Sequence, residues 1–312
     1  MNDQPRLIYN PTAAQGSAGK NLPKVQSLLA ERGFKYVLLM TEGPDHARKL
    51  ARQAAEDGCN LVIAAGGDGT VNEVINGLMQ AELNGNKRPA LGVLPVGRGN
   101  DFAYGIDLTT ELIATIDILV KGDCRTIDVG RVTGGDYPQG RYFGNGVGLG
   151  FDTVVGFEAA KIKWIHGAAS YLVALVRTIF LYSKAPVYEI ALDGNKPFQR
   201  AFLMVSVMNG KRMGGSFYMA PNGKPDDGIF NLCLADQVPQ LKILPLAAKF
   251  LKGTQQDHPA VKMMQARKIT IRAIQGTIPA HADGETICTA GQALNIDIFP
   301  EALEVVSKKY DA

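Results

Sequence analysis

The sequence predicts an α/β N-terminal domain on a doubly wound parallel sheet, followed by a mostly β C-terminal sandwich. Three observations predict it. Apolar strand-like runs alternate with helix-period segments through roughly the first 120 residues, which is the pattern of a parallel, doubly wound sheet. From Arg125 onward the pattern changes to short strands separated by turn residues, as in a sandwich or barrel. A chain of 312 residues also exceeds what one core usually organises. The domain boundary is expected near residue 125.

In the first half, Arg6–Tyr9 reads as a strand, followed by Asn10-Pro11-Thr12-Ala13-Ala14, a Gly16/Gly19 loop and a helix from about Leu22 to Arg32. Lys35–Met40 is a second strand ending at Thr41, and Asp45–Asp57 is helical, with Ala47, Leu50, Ala51 and Ala54 at helical spacing. Leu61–Ala65 is wholly apolar, as expected of a strand buried on both faces. It runs into Gly66-Gly67-Asp68-Gly69-Thr70-Val71-Asn72-Glu73, where glycines permit a sharp turn and close approach of a ligand. Thr70 and Glu73 have the spacing of a capping box for the next helix, Val71–Met79. Strand, glycine turn and helix N-terminus form a phosphate cradle, and a carboxylate such as Asp68 beside phosphates calls for Mg²⁺ between them. A fourth strand, Ala90–Leu94, leads to Gly97-Arg98-Gly99-Asn100-Asp101, which pairs flexible glycines with a second carboxylate, and Arg98 offers a phosphate-binding fork. Asn10, Thr41, Asp68 and this last loop all fall at strand C-termini, where such sheets bind ligands. A helix near Glu111–Val120 closes the half.

In the second half, Thr126–Val132, Val187–Leu192, Ala201–Val207, Ile229–Leu234, Ile269–Ala273 and Ala293–Phe299 read as strands, with Gly134-Gly135, Asp193-Gly194 and Asp227-Gly228 as turns. One long helix is expected from about Glu158 to Ser183, with one apolar stripe and a second, aromatic-rich face carrying Trp164, Tyr171 and Tyr182. Packing on two sides explains it, and an apolar substrate path or lipid contact is the alternative.

Composition is ordinary for a globular protein, and a net charge of +3 is too small to argue for nucleic acid. Cys59, Cys124, Cys233 and Cys288 lie far apart with no paired spacing, which suits reduced thiols in a cytoplasm. No signal-peptide pattern opens the chain, and its longest apolar stretch, Ala168–Val176, is too short to span a bilayer. His46, His166, His258 and His281 show no metal-ligand spacing, and there is no Gly-Lys-Ser/Thr P-loop.

Taken together, the Asn10-Pro11-Thr12 start, Gly66-Gly67-Asp68-Gly69-Thr70, Gly99-Asn100-Asp101-Phe102-Ala103 and Asp283-Gly284-Glu285 resemble the bacterial diacylglycerol-kinase-like lipid kinases, relatives of the sphingosine kinases. The resemblance implies an active site in the cleft between the two domains. It also implies a last segment, Ala302–Tyr310, that returns to the first domain, giving 1–125 with 301–312 and 126–300 as units. By the same resemblance, Asn10–Ala14, Thr41 and Gly66–Glu73 would bind ATP, and Asp283 or Glu285 would take the proton from a lipid hydroxyl. A structural Mg²⁺ would sit at Lys224, Asp227 and Ile229, with Asp227 giving its side chain and the others carbonyls. Many members carry Thr or Ser where this chain has Arg98 at the nucleotide.

The expected activity is ATP-dependent transfer of a γ-phosphoryl group to a lipid hydroxyl, with diacylglycerol first among acceptors. The protein would be cytoplasmic and peripheral at the inner membrane face, and a homodimer stays open. Such transfer needs positioning, charge neutralisation by Mg²⁺ at Asp68 and a general base, with little covalent work for the protein. Rival readings keep the machinery and change the acceptor to a sphingoid base, polyprenol, phosphatidylglycerol or NAD, or make the chain a non-catalytic lipid- or nucleotide-sensing module. Asp283-Gly284 alone would read as a hairpin turn.

Overall fold

The computed structural model describes residues 4–83, 85, 87–162, 168–181 and 184–308. In chain order the first half contains β1 (Arg6–Tyr9), a 3₁₀ turn (Ala13–Gly16), α1 (Ser17–Glu31), β2 (Val37–Met40), α2 (His46–Glu56), β3 (Leu61–Gly66), α3 (Asp68–Gln80), β4 (Ala90–Pro95), α4 (Asp101–Gly105) and α5 (Leu112–Lys121). The strands lie side by side in the order β4-β3-β1-β2, all parallel. Apolar side chains of β3 alternate between two cores: Val62 and Ala64 pack with α2 and α3, and Ile63 and Ala65 pack with α1 and α5. Burial on both faces is why the strand's sequence is continuously apolar.

The second half contains β5 (Cys124–Gly134), β6 (Tyr137–Phe143), β7 (Gly146–Gly150), α6 (Phe151–Lys161), α7 (Ala168–Leu181), β8 (Val187–Leu192), β9 (Phe198–Met208), β10 (Phe230–Asp236), α8 (Gln240–Lys252), β11 (Val261–Ala266), β12 (Lys268–Gln275), β13 (Ile278–Ala282), β14 (Glu285–Gly291) and β15 (Ala293–Val306). Its interior is filled by Phe143 stacked on Phe230 and by Tyr188 stacked on Phe202, with Ile190, Ile269 and Leu294 around them. A third cluster lies on the other side of β9 and β10, where Met204, Met208 and Cys233 meet Phe151 of α6, Ala174 of α7 and Ile243, Leu246 and Phe250 of α8. The strand β15 joins the halves. It pairs antiparallel with β12 and β5, and near its end Val305 pairs parallel with Leu91 of β4.

Two expectations are corrected. The segment expected as one helix from Glu158 to Ser183 is two helices: α6 starts already at Phe151 and ends at Lys161, and α7 starts at Ala168. Trp164 and Tyr182 lie outside the described residues. The capping box at Thr70 and Glu73 does not form, because α3 begins two residues earlier, at Asp68. The Glu73 carboxylate instead accepts from the Asp45 and Ala47 N–H groups (2.8 and 3.0 Å), so it caps the neighbouring helix α2. The Thr70 hydroxyl accepts from Asn10 Nδ2 at 3.0 Å.

Candidate active site

The C-terminal ends of β1, β3 and β4 bring the predicted loops together. Asn10 is held by its own N–H to the Ala65 carbonyl (2.9 Å) and by Nδ2 to Thr70, and its Oδ1 accepts from the Thr12 N–H and hydroxyl at 3.0 and 2.8 Å. The start loop and the Gly66–Thr70 loop are therefore one hydrogen-bonded unit. Beyond Pro11 and Thr12, Ala14 and Gln15 occupy left-handed backbone (φ 49° and 60°), a conformation that costs about 1 kcal/mol or more and is retained where a loop has a job. Thr41 ends β2, its N–H donating to the Tyr9 carbonyl. Between Gly67 and Gly97 the two glycine loops touch backbone to backbone, since a Cβ on Gly97 would collide with Gly67. Arg98 is exposed at the tip of the second loop.

Two carboxylates meet above Gly99. A Cβ built there would lie 2.7 Å from Asp68 Oδ2 and 3.6 Å from Asp101 Oδ2. Asp68 Oδ1 accepts from the Phe102 N–H (3.0 Å), yet burial, then the charges of Asp101 and Asp283, push its pKa up to about 6. Burial raises Asp101 as well, against two donors: Arg212 Nε reaches Oδ1 at 2.9 Å and the Gly215 N–H reaches Oδ2 at 2.8 Å. Arg212 is fixed in turn by the Gly99 carbonyl (3.2 Å) and by the Tyr104 ring, 3.8 Å below its guanidinium. Two close, partly desolvated carboxylates raise each other's cost of ionisation, and a divalent cation relieves it. Hard oxygens in this number fit Mg²⁺, which commonly takes one or two carboxylates and completes its shell with phosphate and water. Among the described residues no group of three or more His, Cys, Asp or Glu side chains could hold a metal, so the protein would furnish only part of that shell.

The Asp283-Gly284-Glu285 segment is a hairpin turn that carries two of the candidate site carboxylates. Asp283 and Gly284 adopt left-handed backbone (φ 49° and 86°), joining β13 to β14 as a two-residue turn of the primed type requires. The turn hangs over Gly69, whose added Cβ would lie 2.8 Å from Glu285 Oε1. The two carboxylates differ sharply. Asp283 is buried and accepts four hydrogen bonds: from the Asn145 and Gly146 N–H groups on Oδ1 (3.0 and 2.9 Å), and from the Gly144 N–H and Asn72 Nδ2 on Oδ2 (2.8 and 3.0 Å). Glu285 is more open, its side chain 40% exposed, with Arg141 Nη2 at 3.7 Å from Oε2. Arg141 is itself oriented by Asn72 Oδ1 (2.9 Å) and the Tyr137 hydroxyl (2.8 Å).

Gly66, Gly67, Gly69, Val71, Asn100 and Ala13 complete the loops; Asn100 Nδ2 donates to the Gly97 carbonyl at 3.1 Å and shapes the second loop. Lys224, Asp227 and Ile229 belong to a loop that is held on Asp128, whose N–H donates to the Pro225 carbonyl at 2.6 Å. There Asp227 Oδ1 accepts from the Ile229 N–H (3.2 Å), while the buried Asp128 accepts from the Gly228 and Glu301 N–H groups. Three site residues escaped sequence reading: Arg141, Asn145 and Arg212. Gly144-Asn145-Gly146 and Gly214-Gly215 were the available signals, as glycine-rich breaks in strand context mark close backbone approach.

Residues 4–132 match the family model described as the diacylglycerol kinase catalytic domain, and residues 145–307 match the YegS C-terminal NAD kinase beta sandwich-like domain. Curated relatives named diacylglycerol kinase include one from Staphylococcus saprophyticus, 30% identical over 91% of this chain and 90% of its own, and one from Staphylococcus carnosus, 28% identical over 91% and 89%. Among solved structures, a diacylglycerol kinase from Bacillus anthracis superposes with a TM-score of 0.73 at 22% identity over 99% of this chain and 98% of its own. An NAD kinase from Archaeoglobus fulgidus in complex with ATP shares the fold at a TM-score of 0.55 and 12% identity, covering 98% and 94%. Two family models that together span most of the chain, and a diacylglycerol kinase 30% identical along 91% of it, place the chain in the diacylglycerol kinase-like family.

Proposed function

We propose that the chain is an ATP-dependent lipid kinase that moves the γ-phosphoryl group onto a lipid hydroxyl, with diacylglycerol, the acceptor in its relatives' name, giving phosphatidic acid. One observation carries the reading: the turn at Asp283 sets a carboxylate, Glu285, directly over Gly69 of the loop that would hold the phosphates. A base and a phosphate cradle face each other, although 216 positions separate them in the chain.

In this reading residues 1–125 and 301–312 bind nucleotide, and 126–300 present the lipid. Asn10–Ala14, Thr41, the Gly66–Glu73 loop, Arg98 and Asn100 hold ATP, the glycine N–H groups facing its phosphates. Asp68 and Asp101 would hold Mg²⁺, which when bound neutralises charge on the transferring group. Glu285 accepts the proton of the attacking hydroxyl, since a base needs an oxygen with a lone pair to spare. All four of Asp283's acceptor sites face donors, so it positions the turn. Arg141 points Glu285. Lys224, Asp227 and Ile229 are proposed as a second, structural Mg²⁺ site. The work is done at the inner face of the membrane by a peripheral protein; among the described residues no helix is long and apolar enough to cross a bilayer.

The test is transfer of labelled γ-phosphate from Mg-ATP to diacylglycerol, ceramide, sphingosine, undecaprenol and phosphatidylglycerol in mixed micelles, and to NAD. Labelled lipid from the wild type, absent with Asp68→Ala, supports the reading. Full activity in Asp68→Ala sinks it, and nucleotide binding without transfer to any acceptor makes the chain a sensor.

A further inference from the structure

Helix α8 buries one side and leaves an apolar side bare. Ile243, Leu246 and Phe250 face inward, in the cluster shared with α6 and α7. Leu241, Leu244 and Leu251 face outward, 92%, 45% and 47% exposed, and Pro245 and Ala248 are exposed between them. At 100° per residue these five positions fall within an arc of about 120°. Single exposed leucines are unremarkable, whereas a continuous stripe marks an interaction surface. On the neighbouring α7, Val173 and Val176 are 39% and 40% exposed, and the two helices are tied by Gln240 Nε2 donating to the Ile179 carbonyl at 3.1 Å.

Charge identifies the occupant. Lys242 and Lys249 flank the stripe, Lys252 stands at its C-terminal end, and Gln240–Lys252 contains no acidic residue. A second copy bound through this face by a twofold axis would set the lysines against their own copies, with no carboxylate on the helix to answer them. An anionic lipid surface meets both demands: acyl chains for the leucines, headgroups for the lysines. The position suits the site. Phe250 at the end of α8 accepts from the Tyr218 N–H (2.9 Å), the Tyr218 hydroxyl is 3.2 Å from that of Tyr104, and Tyr104 carries Arg212, the partner of Asp101.

We propose that the outer face of α8 docks the protein on an anionic bilayer, a proposal that rests on the reading of the chain as a lipid kinase working at a membrane surface. Sedimentation of the full chain with phosphatidylcholine vesicles, with and without phosphatidylglycerol, tests it. The wild type is expected to bind the anionic vesicles and to release as salt rises. A combined Lys242→Glu, Lys249→Glu, Lys252→Glu variant should bind roughly a hundredfold less tightly, from about fivefold for each lysine lost at the surface. A combined Leu241→Asp, Leu244→Asp, Leu251→Asp variant should bind at least tenfold less tightly. The substituted positions contribute little to the core, so both variants should keep the wild-type melting temperature and Mg-ATP affinity. Wild-type-like binding by both folded variants overturns the docking face. So does a wild type that ignores anionic vesicles, or a wild-type dimer that the leucine variant dissolves while vesicle binding persists. Binding is read without phosphoryl transfer, so docking and kinase activity fail separately.

Discussion

Asp283 and Glu285 sit two residues apart and do opposite things, because one is saturated with donors and the other is not. Replacing Asp283 by Ala leaves three backbone N–H groups without acceptors, while Asn72 Nδ2 keeps its bond to the Tyr142 carbonyl; at roughly 1–3 kcal/mol for each buried group left unpaired, and some rescue by water, the fold should lose about 3 kcal/mol or more. Glu285→Gln removes no buried partner, so its melting temperature should match the wild type while transfer falls by about 10²–10⁴. Urea melts beside single-turnover transfer separate the two roles, and a stable, inactive Asp283→Ala would reverse the assignment. Asp68 gives a pH signature. Its folded pKa of about 6 exceeds an unfolded value of about 3.9, so between them the folded state holds the extra proton. Stability of the nucleotide-free protein should thus be highest below pH 4 as far as this group is concerned. It should fall as pH rises through 6, by up to about 2–3 kcal/mol. Asp68→Asn should flatten that fall in a calorimetric pH series and melt higher at pH 7.5, while abolishing transfer. Of these residues, Asp68, Asp283 and Glu285 were legible because glycines mark them in the sequence. Arg141 and Arg212 were not: each acts through a partner more than a hundred positions away, and the nearby Gly144-Asn145-Gly146 and Gly214-Gly215 mark close backbone approach without pointing to either arginine.

At the scale of elements, glycine decides where backbones can touch. A Cβ on Gly97 would run into the Gly67 backbone and come within 2.8 Å of Asn100 Oδ1, and backbone cannot step aside as a side chain can. Gly97→Ala should therefore push the two nucleotide loops apart and weaken Mg-ATP binding at least tenfold by calorimetry. Gly77 is the control. Its Cβ would strike the Arg48 carbonyl and lie 2.8 Å from Ala51 Cβ, where α3 crosses the alanine face of α2. Gly77→Ala should cost about 1–3 kcal/mol of stability by overpacking and leave nucleotide affinity unchanged. The same glycines explain which elements the sequence concealed. β1 to β4 and their helices show clean apolar runs and helical spacing, so their periods were readable. β7 reads Gly146-Val147-Gly148-Leu149-Gly150, which has no strand propensity to speak of. It is a strand because β9 and β13 pair with it on both sides, and at Gly148 the missing Cβ leaves room for the Asp152 carboxylate and the His281 ring. α6 begins where Gly150 turns the chain, a tertiary decision that the apolar stripe starting further on could not reveal.

At the scale of the molecule, the two halves were legible as a change of pattern, but the way they are joined was not. β15 begins inside the sandwich against β12, stays paired with β5, and ends against β4 of the parallel sheet; strand propensity along Ala293–Phe299 says nothing of that change of partner. One strand threading both cores, together with the Arg212–Asp101 pair across the cleft, should make the halves unfold as a unit. A single calorimetric endotherm, with equal calorimetric and van't Hoff enthalpies, is the expected result, and two resolved transitions would refute it. Ligand linkage sharpens the test. In the proposed function Mg-ATP is held by the first half, yet in a cooperative molecule its binding energy would protect the whole, by about 2.7 kcal/mol at a hundred times its dissociation constant. Protease cleavage sites in β8 to β12, remote from the nucleotide, should therefore be protected to the same degree as sites in α1 and α2. If nucleotide shields only the first half, the strand does not couple the two, and binding in one half would not be felt at Glu285 in the other.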